Sequence, residues 1–376
     1  MKNQLIERIG IDRSVLYDFI IRYIDGKRFE RKINFNKKNN YFCMVEYDDS
    51  SPIVLSNGNR LKKLIIIDKK IGILCAKFRK NNLNGNYFLD CSLELSVDDY
   101  HNLQNLTADE YRGRIINVFT YLEEEYGIYT NFESIKVKKL EINATFYLNK
   151  AFTDYKKAIL LLGKNVSPKR YGKDNKLKLA TWQEVTNYKE ELETILIKNS
   201  SIEFKIYNKG KHLLDNKQVT ECNNNIMRIE YTIKDKRILD RVFDDNLVIN
   251  LNDTKINKLF EKYFNRDIVE PYRRWRRANY NNLIRLVTKH KQNNPTKWVN
   301  YFLRECRQFE AENGLPLLFD LYDLKPIFRE LEPKGSRNHN KKFNRFLGQA
   351  IYENDLIGNT ERVEEVINKV TKMIIK

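Results

Sequence analysis

Three short stretches decide the fold: Leu140-Glu141-Ile142-Asn143-Ala144-Thr145-Phe146, Ser201-Ile202-Glu203-Phe204-Lys205-Ile206-Tyr207-Asn208-Lys209-Gly210 and Met227-Arg228-Ile229-Glu230-Tyr231-Thr232-Ile233. Each alternates polar with apolar residues, and a period of two is the signature of a β-strand. Glu141, Asn143 and Thr145 share one face of the first, opposite Leu140, Ile142, Ala144 and Phe146. Glu203, Lys205, Tyr207 and Lys209 oppose Ile202, Phe204 and Ile206 on the second. On the third, Arg228, Glu230 and Thr232 oppose Met227, Ile229, Tyr231 and Ile233. Such alternation belongs to antiparallel sheets with one covered face, whatever their function. If the three strands are neighbours, however, their polar faces assemble a reactive set. Glu141, Glu230 and at one remove Glu203, with the amide of Asn143, would hold a hard divalent cation through oxygen. Beside them stands the Tyr207 phenol between Lys205 and Lys209. That combination suits attack on a phosphodiester, with the phenol as nucleophile and Lys209 offsetting the charge that develops.

Working outward, Tyr41–Tyr47, Leu61–Asp68, Gly72–Phe78 and Tyr87–Leu95 are rich in β-branched and aromatic residues and predict an antiparallel meander. Asn81–Asn86 (NNLNGN) offers turn chemistry between the last two. Thr107 and Glu110 form a capping box for a helix that carries Tyr111, Ile115, Phe119, Leu122 and Tyr126 on one face, with Gly127 as its stop. Thr181 and Glu184 predict a second capped helix burying Val185, Tyr188, Leu192, Ile195 and Leu196. Past Asn250 the texture turns helical, from a helix capped by Asp253, with breaks at Pro271, Pro295, Pro316, Pro326 and Pro333. The expected class is α+β: an antiparallel-sheet domain, built as two similar halves, followed by an all-α C-terminal domain. The expected boundaries are 1–60 for an N-terminal extension of the sheet, 61–250 for the sheet domain and 251–376 for the helices.

Composition narrows the classes. The 376 residues carry 68 Lys and Arg against 50 Asp and Glu, a formal net charge of +18, which predicts a polyanionic partner. No run approaches the ~18 apolar residues of a membrane span, and no secretory h-region is visible, so a cytoplasmic protein is expected. Five Cys without a CxxC and four scattered His argue against disulfide and imidazole-metal frameworks.

The charge is clustered. From Pro271 to Asn300 there are eight cations and no acid: Arg273, Arg274, Arg276, Arg277, Arg285, Lys289, Lys291 and Lys297, interleaved with Tyr272, Trp275, Tyr280 and Trp298. Lys334–Phe346 is also acid-free and adds Lys341 and Lys342. These clusters predict contact with nucleic-acid phosphates. The aromatics among them read first as helical core. Neither stretch pairs its charge with the broad apolar face that membrane binding needs.

In the order KKLEINATF, FKIYNKGK, MRIEYTI, the chain resembles the replication initiation factor family of rolling-circle initiators. That family includes the replication-nicking protein of filamentous phages, plasmid initiators and relaxases of integrative elements. The resemblance spans roughly Leu61 to Phe243, and its most specific elements are Tyr207-Asn208-Lys209-Gly210 and Arg228-Ile229-Glu230. It implies an endonuclease that nicks one strand of origin DNA through a covalent 5′-phosphotyrosine and religates it, using Mg²⁺ or Mn²⁺. Carried over by motif, Glu141 and Glu230 match the acidic positions and Tyr207 and Lys209 the Tyr-x-Lys element. DNA, as origin duplex or hairpin and as single strand at the nick, is the implied partner, together with host helicase and polymerase and, where the protein self-associates, a homodimer. The chain departs from the family's Arg-Ile-Asp at Leu140-Glu141, and Lys211-His212 stand where an acid is common, leaving Asp215 next in line. Tyr231 and Tyr280 remain other nucleophiles to weigh. A DNA-binding protein that does not cut, such as a repressor or degenerate initiator, would explain the charge equally well.

Overall fold

The structure is a computed structural model. It describes residues 5–19, 21–38, 42–49, 51, 55, 58–68, 70–80, 87–95, 105–165, 181–186, 192–215, 223–293, 304–305, 308, 311–312, 341, 344–345 and 359–375. The turn at Asn81–Asn86, the breaks at Pro295 and beyond, and Lys342 lie outside these residues.

The strands are β1 (Ile9–Tyr17), β2 (Ile21–Ile24), β3 (Phe42–Tyr47), β4 (Leu61–Asp68), β5 (Gly72–Lys80), β6 (Tyr87–Leu95), β7 (Ile128–Thr130), β8 (Lys136–Tyr147), β9 (Thr181–Thr186), β10 (Leu192–Lys198), β11 (Ile202–Asn208) and β12 (Ile226–Ile233). Among the described residues ten of them form one antiparallel sheet in the order β3-β4-β5-β6-β1-β8-β12-β11-β10-β9, while β2 and β7 pair separately. From either edge, a four-strand meander runs inward to one of two central strands, β1 or β8, which pair with each other. β1, from the N-terminal sixty residues, therefore stands mid-sheet.

The helices are α1 (Gly26–Lys38), α2 (Ala108–Tyr126), α3 (Lys156–Asn165), α4 (Lys209–Asp215), α5 (Lys236–Phe243), α6 (Asp253–Phe264), α7 (Glu270–Asn293) and α8 (Asn359–Ile375). One face of the sheet is covered: Leu64, Leu74, Leu93, Ile142, Phe204 and Tyr231 join a single core with Phe29 of α1, Ile115 of α2, Leu162 of α3, Phe260 of α6 and Val366 of α8. Tyr231 makes ring contacts with Phe204, Phe260 and Tyr263 on this side. At about 1.5–3 kcal/mol for each fully buried large apolar side chain, this layer supplies the main drive to fold.

The expected meander and the helix from Thr107 are present, and α2 has both halves of its capping box and an αL Gly127 at φ 65°. The expected helix from Thr181 is not. That segment forms β9 and β10, paired antiparallel with Glu184 opposite Ile195. The β-branched alternation of Thr194, Ile195 and Ile197, and a free ladder on β11, outweigh the Thr-x-x-Glu signal. Nor does the chain break at Pro271. α6 runs through a π turn at Asn265–Val269 into α7, and this widened turn accommodates the proline that follows it. Asn252, not Asp253, caps α6, through the amide of Lys255. Asp253 Oδ1 instead accepts from the Ala108 amide, 2.7 Å away, at the start of α2.

Candidate active site

β8, β12 and β11 are adjacent, as the chemistry requires. Thr232 pairs with Glu141, Glu230 with Asn143 and Arg228 with Thr145; on the other side Lys205 pairs with Glu230 and Tyr207 with Arg228. Directly opposed residues in a ladder point to the same face, so all these side chains converge on the side opposite the helix-covered core. The Tyr207 hydroxyl donates to Glu230 Oε2 at 3.2 Å. Tyr231, on the helix-covered face, is excluded from this group.

A fourth strand supplies what sequence reasoning missed. The β1–β8 register shifts between Ile11 and Arg13, leaving Asp12 as the extra residue of a β-bulge. A bulge re-aims the side chain it carries. Here it directs the Asp12 carboxylate across the sheet to Arg228 Nη1, 2.6 Å away. Asp12, Glu141 and Glu230 each offer an oxygen, and these oxygens lie within 4.8 Å of one another. The signal was the Ile9–Tyr17 run (IGIDRSVLY) itself, but plain alternation gives no hint that two neighbouring residues would face one way.

Every carboxylate of the group also has a cationic partner. Lys139 reaches Glu141 at 2.7 Å and Lys205 reaches Glu230 at 3.0 Å. Arg228 holds Asp12, and its Nε donates to Thr145 Oγ1 at 2.7 Å. Burial, reinforced by the charge of Glu230, raises the pKa of Glu141 against the pull of Lys139 and Lys205. Burial and Glu230 likewise push the Tyr207 phenol well up, with Arg228 opposing. Glu203 stays outside the cluster. Burial would raise its pKa, but bonds from Lys234 and Lys205 overcome that and hold it at about 2.

Lys209 is the first residue of α4 rather than the last of the strand, so it does not continue the alternation of β11. It is fully buried, its Nζ has no hydrogen-bond partner, and it lies 6.0 Å from the Tyr207 ring centre. Burial, with the charge of Arg228, brings its pKa from 10.5 to about 7, although Asp12, Glu230 and Glu141 pull the other way. Local sequence explains the placement. The Asn208 side chain accepts the Lys211 amide at 3.0 Å and starts α4. Gly210 lets the helix pass Asn223, whose carbonyl oxygen would be 2.3 Å from any Cβ there. His212, one turn on and exposed, sets its ring 5.6 Å from that of Tyr207. Asp215 pairs with Lys211 at the far end of α4 and joins no acidic group.

The donor set fits a hard divalent ion: the buried carboxylates of Glu141 and Glu230 and the half-buried one of Asp12, all oxygen, with a buried ammonium left unpartnered beside them. Asn143, expected as a ligand, has its Oδ1 taken by the Thr145 hydroxyl at 2.8 Å, while its Nδ2 is unpartnered.

Elsewhere, Arg273, Arg274, Arg277, Arg285 and Lys289 on α7 are exposed, as are Lys341 and Arg345, whereas Arg276 is half-buried. Tyr272 is buried and stacks on Trp275 at 6.2 Å, donating to Glu364 at 2.8 Å; these aromatics belong to the core. No described helix is long and apolar enough to cross a membrane.

No family model and no curated protein matches the chain. Among solved structures it is similar to the rolling circle replication initiator protein from Geobacillus stearothermophilus, at 11% identity and a TM-score of 0.29, over 61% of this chain and 76% of that one. A likeness so slight shows neither a family nor an activity. The site, taken by itself, belongs to an α+β protein whose large antiparallel sheet gathers three carboxylates around one tyrosine.

Proposed function

We propose that the protein is a rolling-circle replication initiator or relaxase that nicks and religates one strand of origin DNA through a 5′-phosphotyrosine. One observation carries this reading: the Tyr207 phenol hydrogen-bonded to Glu230 within a buried acidic group. In the forward step Tyr207 Oη attacks phosphorus in line, a P–O bond to tyrosine forms, and the bond to the 3′ oxygen breaks. Glu230 Oε2 receives the phenolic proton. Arg228 and Lys205 steady the charge around the attacking oxygen, and Lys209 delivers a proton to the departing 3′ oxygen, a role suited to a pKa near the working pH. Reversal of these transfers reseals the strand, and because the phosphotyrosine retains the energy of the cleaved linkage, no nucleotide is consumed. Asp12, Glu141 and Glu230 would hold Mg²⁺ or Mn²⁺, which when bound polarises the phosphate.

The arginines of α7 and the following helices, residues 251–376, grip origin duplex or hairpin. Residues 61–250, completed by the strand at Ile9–Tyr17, do the cutting. The two meanders are read as two similar halves, of which the second carries the chemistry. Host helicase and polymerase use the freed 3′ end.

The test is incubation with supercoiled plasmid carrying the gene's own upstream DNA and Mn²⁺ or Mg²⁺. Relaxed circles and a protein–DNA adduct that survives denaturant are expected. Tyr207→Phe should abolish the adduct, and Glu230→Ala should lower nicking by at least about a hundredfold. Binding without nicking or adduct would leave a DNA-binding protein that does not cut.

A further inference from the structure

The acidic cluster occupies only part of its sheet face. On β3, β4 and β5 the same face continues as two rows of directly opposed residues, Phe42–Ile67–Ile73 and Met44–Ile65–Cys75. The first row extends through Glu94 and Val15 to Lys139, two residues along β8 from Glu141. The opposite side of these strands, with Leu64, Ile66, Leu74 and Ala76, is sealed in the core. A solvated face of an antiparallel sheet is ordinarily polar. Here Phe42, Ile67 and Ile73 are 52, 43 and 41% exposed. A row of Glu46, Lys63 and Lys77 borders the apolar rows, and Arg13 and Lys139 stand at their inner end.

We propose that this face of β3, β4 and β5 carries the unpaired bases of a single-stranded DNA segment on its way to the acidic cluster. The inference rests on the nicking reading and adds the path of its substrate. A flat apolar surface lined by lysines offers bases a stacking platform and phosphates their counter-charge, whereas a duplex keeps its bases turned inward. The Lys63–Glu46 pair is a surface pair of little net strength, and a phosphate can replace its carboxylate. β3 lies five strands from β8, about 24 Å at the usual strand spacing. That suits a segment of a few nucleotides. The apolar rows run across the strands toward the cluster rather than along the β3 edge, as a channel for a chain would and a strand-pairing interface would not.

The test uses full-length protein in EDTA, where cutting is silent, with fluorescein-labelled oligo(dT) of about 20 nucleotides and a duplex of equal length as probes. The variant Phe42→Thr/Ile67→Thr/Ile73→Thr keeps residues that favour strands. It should weaken oligo(dT) binding at least about fivefold, with duplex affinity and the salt dependence of binding unchanged. Unchanged oligo(dT) affinity overturns the proposal. So does loss of a dimer in sedimentation velocity, which would make the face a self-association surface. If circular dichroism shows the triple variant unfolded, Ile67→Thr alone is judged by the same measurement. Should wild type form no adduct while the variant still loses oligo(dT), the nicking reading falls and only the single-strand-binding face stands; the converse removes this proposal alone.

Discussion

Lys209 is the residue with the sharpest conflict between folding and function. In the unfolded chain its ammonium holds a proton up to about pH 10.5, but in the fold it releases it near 7. The unfolded state therefore binds more protons between these values, and stability rises with pH across that window. Below pH 7 both states are charged and the burial cost is felt in full. Lys209→Met should raise stability at neutral pH by on the order of a few kcal/mol and flatten that rise, while abolishing nicking. Denaturant titrations of both proteins from pH 6 to 10 would decide; a destabilised Lys209→Met would mean that an acidic partner, not desolvation, governs the residue.

At the scale of elements, α4 works as a fixed bracket between β11 and the cluster. In Gly210→Ala the new methyl meets the Asn223 carbonyl, so the helix must shift and carry Lys209 and His212 with it. A loss of about 1–3 kcal/mol is expected, with a fall in nicking larger than the fall in DNA affinity, measured by denaturation and plasmid relaxation in parallel. Elements also show where the sequence could be read. Polar and apolar residues alternate cleanly on β8, β11 and β12, so their shared face, and Tyr207 beside Glu230, were legible. β9 and β10 were not, because Thr181 and Glu184 imitate a helix start and only the ladder of β11 reveals the better alternative. Pro271 misled for a related reason. A proline ends a helix unless the turn before it widens, and nothing in Asn265–Val269 advertises a π turn.

For the whole molecule, charge and chemistry are segregated. The acidic group sits largely buried among compensating ion pairs, while the surplus cations of α7 stand exposed. Replacing Arg273, Arg274 and Arg277 with Gln should reduce the slope of log affinity against log salt by about 2–3 for duplex DNA, since each phosphate contact contributes about 0.9. An unchanged slope would show that these arginines do not meet phosphate. The same variant should keep its adduct with a short single-stranded substrate.

Asp12 is the spare residue of an interrupted ladder, and this would make the proposed activity fragile in an unusual direction. Excising that one codon would remove the irregularity between Ile11 and Arg13, leave the one between Val15 and Leu16, and take one carboxylate from the acidic group. The proposed cutting could thus be lost in a single event, opposed by the cost of taking the Asp12 carboxylate from the buried Arg228.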